Sequence, residues 1–298
     1  MTTSKLARAL AAPSQDASLP APAPIVKWAG GKARLLSQLE PLLPNGVELM
    51  RHVEPFLGGG AMFFARRPER ALLCDINPAL IATYEAVRDQ VDAVIEHLSR
   101  LSREHELSPS RAYYRLRERY NRARKLPLAE RGALFLYLNK TCFNGLHRVN
   151  LRGEFNVPLG RYARPRILNA ELLRAASRQL QDADLRCTGF ESLLTAARPG
   201  DFVYFDPPYE PVSGTANFTA YAQAGFGRQH QLALREVYVE LDRRGCKLML
   251  SNSDVPFIRD LYRSFRIDVV AAARAINCDA SKRGPVCEVV VRNYGAPR

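Results

Sequence analysis

The chain has 298 residues, 47% hydrophobic and 24% charged, with a formal net charge of +13, the make-up of an ordinary soluble globular protein with room for one large or two small domains. No apolar run approaches the ~20 residues of a membrane span, and the N-terminus lacks the apolar core of a signal peptide, so neither membrane insertion nor secretion is expected. The six cysteines (Cys74, Cys142, Cys187, Cys246, Cys278 and Cys287) are scattered, with no Cys-x-x-Cys pair and no histidine at metal-ligand spacing; a reduced, metal-free, cytosolic protein is expected.

Residues 1–24, rich in Ala, Pro and Ser, read as a disordered or extended tail. From Ile25 the fold begins. Ile25-Val-Lys-Trp28-Ala-Gly-Gly-Lys32 leads into Lys32–Glu40, whose leucines recur at helical spacing, so a glycine turn feeds a helix. Lys32 is placed to hold a carboxylate, and Trp28 offers a flat apolar face. Read alone, the same residues are turn-formers and a core aromatic. His52-Val-Glu54-Pro-Phe56-Leu-Gly58-Gly-Gly60 and the following Ala61–Arg66 read as strand, glycine loop and helix. Ala71-Leu-Leu-Cys-Asp75 is a second strand ending in an acid. Glycines followed about twenty residues later by a carboxylate suit a nucleoside, but the spacing is not Gly-x-Gly-x-x-Gly, which disfavours NAD. A pair of ordinary strand-to-helix turns is the alternative.

The middle segment reads as helices: a long pattern over Ala79–Leu101, an Arg/Tyr-rich helix over Arg111–Lys125, and a strongly apolar helix over Leu128–Leu138 that presents Asn139–Pro158 as a loop. Between Arg111 and Arg166 stand fourteen Lys or Arg against three Glu, nearly the whole net excess. A basic run that continues from a helix into a loop points to a polyanion, with phosphate attraction that weakens steeply with salt. For the helical part alone a solvated face serves as well.

After Asn169 the pattern returns to α/β: a helix over Leu172–Leu180, a short strand at Leu185–Cys187, and the apolar run Phe202–Phe205 delivering Asp206-Pro207-Pro208-Tyr209. Two prolines cannot donate ladder hydrogen bonds, so the strand ends at Asp206 and leaves its carboxylate at a strand's carboxyl edge, where ligands of open α/β sheets collect. Methylation of an exocyclic amine needs acceptors for both N–H bonds, so that the lone pair faces the electrophile. An aspartate and a proline-flanked carbonyl supply them, and Tyr209 is placed to stack on the base. A plain turn is the bland alternative. Beyond it, Glu210–Gly227 suits a loop closing on a substrate, Gln229–Leu241 a helix, Lys247–Leu250 a strand, and Phe265–Ala271 with Val286–Arg292 a terminal hairpin whose Ser281–Gly284 loop is basic.

Lys27-Trp-Ala-Gly-Gly-Lys32, Glu54-Pro-Phe-Leu-Gly-Gly-Gly60 and Asp206-Pro-Pro-Tyr209, in this order, resemble the Dam-type (D12 class) DNA N6-adenine methyltransferases over about Ile25 to Tyr294. Leu136–Pro158 and Thr215–Tyr221 tighten the likeness to the Dam branch. The fold it implies is α/β, a Rossmann-like class I methyltransferase sheet with a terminal β-hairpin (25–77 and 169–298), interrupted by a small helical target-recognition domain (78–168). The resemblance implies S-adenosylmethionine bound by Trp28, Lys32, Glu54, Phe56, Gly58, Asp75, Phe190 and Asp206, and a flipped adenine at Asp206, Pro207, Pro208 and Tyr209. It places DNA contacts at Lys27, Phe143, Asn144, Leu146, Arg148, Pro158 and Arg161, with Phe143 wedging into the stack and Arg148 reading a guanine edge. Phe143 stands where tyrosine is usual, which keeps the stacking and loses a hydroxyl. The expected site is GATC, the expected partner double-stranded DNA, and the expected state a monomer in the cytoplasm, associated with the nucleoid and needing no metal. Roles in restriction-modification, replication and repair are all open to such an enzyme. The alternatives are a methyltransferase of RNA adenine or protein glutamine, for which Asn in place of Asp206 is usual, and an inactive DNA-binding homologue, which an intact catalytic turn argues against.

Overall fold

The computed structural model describes residues 20–123, 125–211, 226–272 and 286–295. Strands β1 (His52–Glu54), β2 (Ala71–Asp75), β3 (Ala183–Cys187), β4 (Phe202–Phe205), β5 (Lys247–Ser253), β6 (Arg266–Ala272) and β7 (Val286–Arg292) form one sheet. Its order is β3-β2-β1-β4-β5-β7-β6. The first five run parallel, and β7 is antiparallel to both β5 and β6, the hairpin that the sequence predicts. Every residue of β1, β2 and β4 is buried, because helices cover both faces, which is why these strands read as unbroken apolar runs. At the amino edge, Arg51 clamps β1 to β4 through Asp201 (Nη2 to Oδ2, 2.5 Å). The carboxyl ends of β1, β2 and β4 therefore open on the same side, with β1 at the point where the strand order reverses. This is the class I methyltransferase fold.

Helices α1 (Leu36–Leu39), α2 (Ala61–Arg66), α3 (Pro78–Asp89), α4 (Val91–Leu107), α5 (Pro109–Arg122), α6 (Leu128–Thr141), α7 (Ala170–Leu180), α8 (Leu193–Ala196), α9 (Arg228–Arg243) and α10 (Pro256–Leu261) complete the described elements. The long pattern over Ala79–Leu101 is two helices. Gln90 breaks it with φ −140° and ψ 38°, and the periodicity survives because α3 and α4 both pack on α6. The helix expected over Lys32–Glu40 is instead a 3₁₀ turn, the short α1 and a second 3₁₀ turn. Its leucines pack with Met62, Phe202 and Met249 without a continuous helical ladder. Helix α6 runs three residues past Leu138, so the loop predicted from Asn139 begins only at Cys142.

One apolar cluster joins Ile25, Leu57 and Leu73 to Tyr113, Leu134 and Leu138 of the middle helices and to Leu173 and Leu185 beyond them. A second, with Val203, Leu234 and Leu248, fills the opposite face. Of the tail expected over 1–24, residues 1–19 lie outside the described residues. So do 212–225, which carry Thr215–Tyr221 and most of the loop expected over Glu210–Gly227, and so do Cys278 and the Ser281–Gly284 loop. Among the described residues no helix is long and apolar enough to cross a membrane.

Candidate active site

The two prolines end β4 as expected, and Asp206 projects from its carboxyl end. Lys32, 5% exposed, brings Nζ to 2.7 Å from Asp206 Oδ1. The carboxylate that Lys32 holds is thus the protein's own. Its ammonium also donates to the Gly30 carbonyl at 2.6 Å and stands 4.7 Å from the centre of the Tyr209 ring. Asp206 keeps 21% of its surface open, yet desolvation pushes its pKa up to about 6 against the opposing pull of Lys32, with Glu288 and Glu54 pushing the same way as burial. The Tyr209 hydroxyl donates to Glu288 Oε2 at 2.8 Å, which fixes the ring's azimuth and leaves it half-buried.

Behind the turn lies a layer of buried amides that the sequence reading misses. Gln231 Nε2 donates to the Pro208 carbonyl (2.9 Å) and Asn252 Nδ2 to Gln231 Oε1 (3.2 Å). Asn252 Oδ1 accepts the Glu210 N–H (3.1 Å), and Ser253 Oγ donates to the Glu210 carbonyl (2.6 Å). Gln231, Asn252 and Ser253 are all at most 3% exposed. The available signal was Ser251-Asn252-Ser253, three polar residues continuing the apolar strand beyond the expected end at Leu250. β5 carries them because their partners lie inside.

On the neighbouring strand, the loop after β1 is tied to the end of β2. Gly58 donates its N–H to Asp75 Oδ2 (3.0 Å), Asn77 donates to Asp75 Oδ1 (2.9 Å), and the Tyr84 hydroxyl donates to the Gly58 carbonyl (3.0 Å). Desolvation raises the Asp75 pKa while these two N–H bonds oppose it. Each Asp75 oxygen already accepts one backbone donor, and each retains a second lone pair. At Gly58 the φ of +48° and the Trp28 indole leave no space for a side chain, since an added Cβ would lie 2.6 Å from the Trp28 Cδ1. Glu54, 3% exposed, is held by His52 (Nε2 to Oε1, 2.7 Å), whose other nitrogen faces the Arg66 guanidinium at 2.9 Å. Phe56 stacks on Phe190 (5.6 Å, 27°), and Phe226 meets both edge-on. Phe190 is 4% exposed and packs as part of the core on that face of the sheet. Trp28, Lys32, Glu54, Phe56, Gly58, Asp75, Phe190 and Asp206 thus gather at the carboxyl ends of β1, β2, β3 and β4.

The segment after α6 folds back on itself as a hairpin. Asn139 Nδ2 donates to the carbonyls of Lys27 (2.8 Å) and Gly145 (3.1 Å), and its Oδ1 accepts the Lys27 N–H (2.7 Å). That amide joins the hairpin's base to the first motif. Asn144 takes a left-handed φ of 54°, and the Pro158 carbonyl accepts the Phe143 N–H (2.9 Å). Asn150 closes the tip, its Oδ1 accepting from Arg152 and Glu154. On the return leg, Asn121 of α5 exchanges two hydrogen bonds with Phe155, and the Tyr113 hydroxyl donates to the Val157 carbonyl. Arg148 is exposed, its fork steadied by Asn156 (Nε to Oδ1, 2.8 Å). Lys27, Phe143, Asn144, Pro158 and Arg161 are exposed, and Leu146 is half-buried.

The basic run divides in two. On α5, Arg115, Arg119 and Arg122 pair with Glu104, Glu130 and Glu118, so this helix face is largely neutralised. Lys140, Arg152, Arg161, Arg164 and Arg166 have no ion-pair partner among the described residues. Lys140, beside a cavity that Lys27, Arg164 and Arg166 also line, has its pKa pushed down to about 8 by burial and by the neighbouring Lys27 and Arg166.

A family model described as D12 class N6 adenine-specific DNA methyltransferase matches residues 28–276. The type II methyltransferase M.MjaIII of Methanocaldococcus jannaschii is 41% identical over 285 residues, spanning 91% of this chain and 99% of that protein. The DNA adenine methylase of Escherichia coli strain K12 is 38% identical over 265 residues, spanning 89% and 93%. The DNA N-6-adenine-methyltransferase of Escherichia phage P1 is 36% identical over 89% of this chain but only 35% of its own length. With likeness of this extent laid over a sheet of this order, the chain belongs to the D12 class N6 adenine-specific DNA methyltransferase family.

Proposed function

We propose that the protein methylates N6 of an adenine flipped out of a short duplex DNA site, GATC being the site that the resemblance implies. The observation that carries the reading is Asp206, set at the carboxyl end of β4 by two prolines and charge-paired to Lys32, on the same edge of the parallel sheet as the Gly58 loop that packs on the Trp28 indole. S-adenosylmethionine, which the family implies, supplies a sulfonium methyl when bound. The residues present fit it: Gly58 lets the backbone approach closely beside Trp28, Asp75 and Glu54 offer carboxylates, and Phe56 and Phe190 offer flat apolar faces.

The chain's own work is positional. Ionised Asp206 accepts one amino hydrogen. The proline-flanked carbonyl of Pro207 takes the second, while the Pro208 carbonyl accepts from Gln231 and braces the turn. The N6 lone pair then stands out of conjugation, and Tyr209 stacks on the ring. Acceptors fixed before reaction cost no reorganisation when the nitrogen turns cationic. Flipping is required because N6 is otherwise engaged in pairing and stacking. Residues 78–168 act as the recognition segment, with Arg148 on a guanine edge, Phe143 in the gap that the adenine leaves, and Lys27, Asn144, Leu146, Pro158 and Arg161 completing the contact.

Incubation with methyl-labelled S-adenosylmethionine and duplexes with or without GATC tests the whole reading. Label in adenine of the GATC duplex alone is expected, with Asp206→Ala abolishing transfer and sparing DNA binding. Label in RNA or protein assigns another substrate, and binding without label assigns an inactive homologue.

A further inference from the structure

His147 follows the half-buried Leu146 and precedes Arg148, yet its ring turns inward. It stacks on Trp28 (centroids 5.8 Å, 22°) and packs between Phe135 (5.5 Å) and Phe155 (5.8 Å). Its Nδ1 lies 3.3 Å from Asn77 Nδ2. The direction of that bond follows from Asn77: its Oδ1 accepts from Ala79 and Leu80 as the cap of α3, so its Nδ2 donates and Nδ1 accepts. The imidazole is therefore neutral, with its proton on Nε2. Burial, which pushes its pKa down to about 4, acts the same way.

From this ring two routes reach one glycine. The first runs through the Trp28 face to Gly58, whose α-carbon lies against the indole. The second runs through Asn77 to Asp75 and from Asp75 to the Gly58 N–H. On the other side stands Arg148, one peptide bond away, with its fork held to the hairpin by Asn156. We propose that His147 is a positioning residue that couples the recognition hairpin to the cofactor cleft, so that seating of the hairpin on DNA and seating of S-adenosylmethionine against Trp28 strengthen each other. The inference rests on the placement of cofactor and DNA proposed above. Coupling of this kind is reciprocal and spans roughly 5-fold to 150-fold in affinity.

Trp28 is the single tryptophan of the chain, so intrinsic fluorescence reports from the joint itself. The experiment titrates S-adenosylhomocysteine, which permits no turnover, with and without a duplex that the native enzyme methylates. In the native enzyme the duplex should tighten binding by roughly 5-fold or more. In His147→Ala the ratio of the two dissociation constants should fall to near one. His147→Phe keeps the stacking face and guards against misfolding of the alanine variant. It should lose part of the ratio, as should Asn77→Ser, which keeps a helix cap but removes the Nδ2 donor. A lower melting temperature in any of these variants does not by itself move a ratio. An unchanged ratio in the folded His147 variants, or a ratio of one in the native enzyme, overturns the proposal. A Trp28 signal blind to S-adenosylhomocysteine overturns the cofactor placement itself, and the coupling falls with it.

Discussion

The proposed mechanism requires Asp206 to be ionised, and burial sets its pKa at about 6 with Lys32 holding it down. The acid limb of kcat/KM should therefore fall near pH 6, activity rising as the proton leaves. Lys32→Met removes the restraining charge, so the limb should move to higher pH; a profile that stays in place would show that another group governs it. The linkage to stability runs the opposite way. A carboxyl raised from 3.8 to about 6 on folding keeps its proton better in the native state, so its contribution to stability declines as pH rises from about 4 to about 6 and is constant above. Asp206 was legible in the sequence because two prolines and an apolar run leave its place no freedom. His147 was not, because a lone histidine in a loop carries no period and no spacing, and only the arrival of Trp28 from almost 120 residues earlier gives it a neighbour.

At the scale of elements, the turn at Asp206–Tyr209 is braced by what stands behind it. Asn252 is fully buried and serves Glu210, Gln231 and Ser253, so Asn252→Ala leaves buried donors unmet and should cost about 1–3 kcal/mol in denaturant unfolding. The same change should lower kcat and leave DNA affinity within error. A variant that loses stability alone would confine Asn252 to the fold. In the loop after β1, Gly58→Ala places a methyl group into the indole at a left-handed φ; its expected signature is at least a tenfold weaker S-adenosylhomocysteine titration, or about 1.4 kcal/mol. In the hairpin, Arg148→Ala should cost about 1–3 kcal/mol of discrimination at one base pair, with Asn156→Ala giving a smaller loss at the same pair. Methylation rates over single-base variants of the site measure both, and an unaltered preference removes Arg148 from the readout. The strands were readable to within a few residues, since buried parallel strands and proline stops leave marks in composition. The ends of α6 and β5 were not, because Asn139 and Asn252 look like loop residues until the carbonyls and N–H groups they satisfy are in view.

Over the whole molecule, the charge that pointed to a polyanion is sorted by the fold. The arginines of α5 that meet glutamates are poor candidates for phosphate contact, whereas Arg161, Arg164 and Arg166 have no ion-pair partner among the described residues. Replacing Arg161 or Arg164 by alanine should reduce the slope of log K against log salt by up to about 1 each, while Arg115→Ala and Arg122→Ala should leave it unchanged. Fluorescence anisotropy over a salt series checks this, and an equal effect of both groups would refute the division. Composition showed that the charge was concentrated; only the pairing geometry shows which part of it is available.

The sheet order carries one consequence for synthesis. β1 takes β2 as a neighbour early, but its other flank is filled by β4, which leaves the ribosome only after the helical segment and β3. A nascent chain that stalls between Phe190 and Asp206 therefore already has Glu54, Gly58 and Asp75 in hand but lacks the turn on which the proposed grip on a base depends. Copies cut short there lack β4, the middle strand of the seven, as well as Asp206, so on the proposed chemistry they transfer nothing.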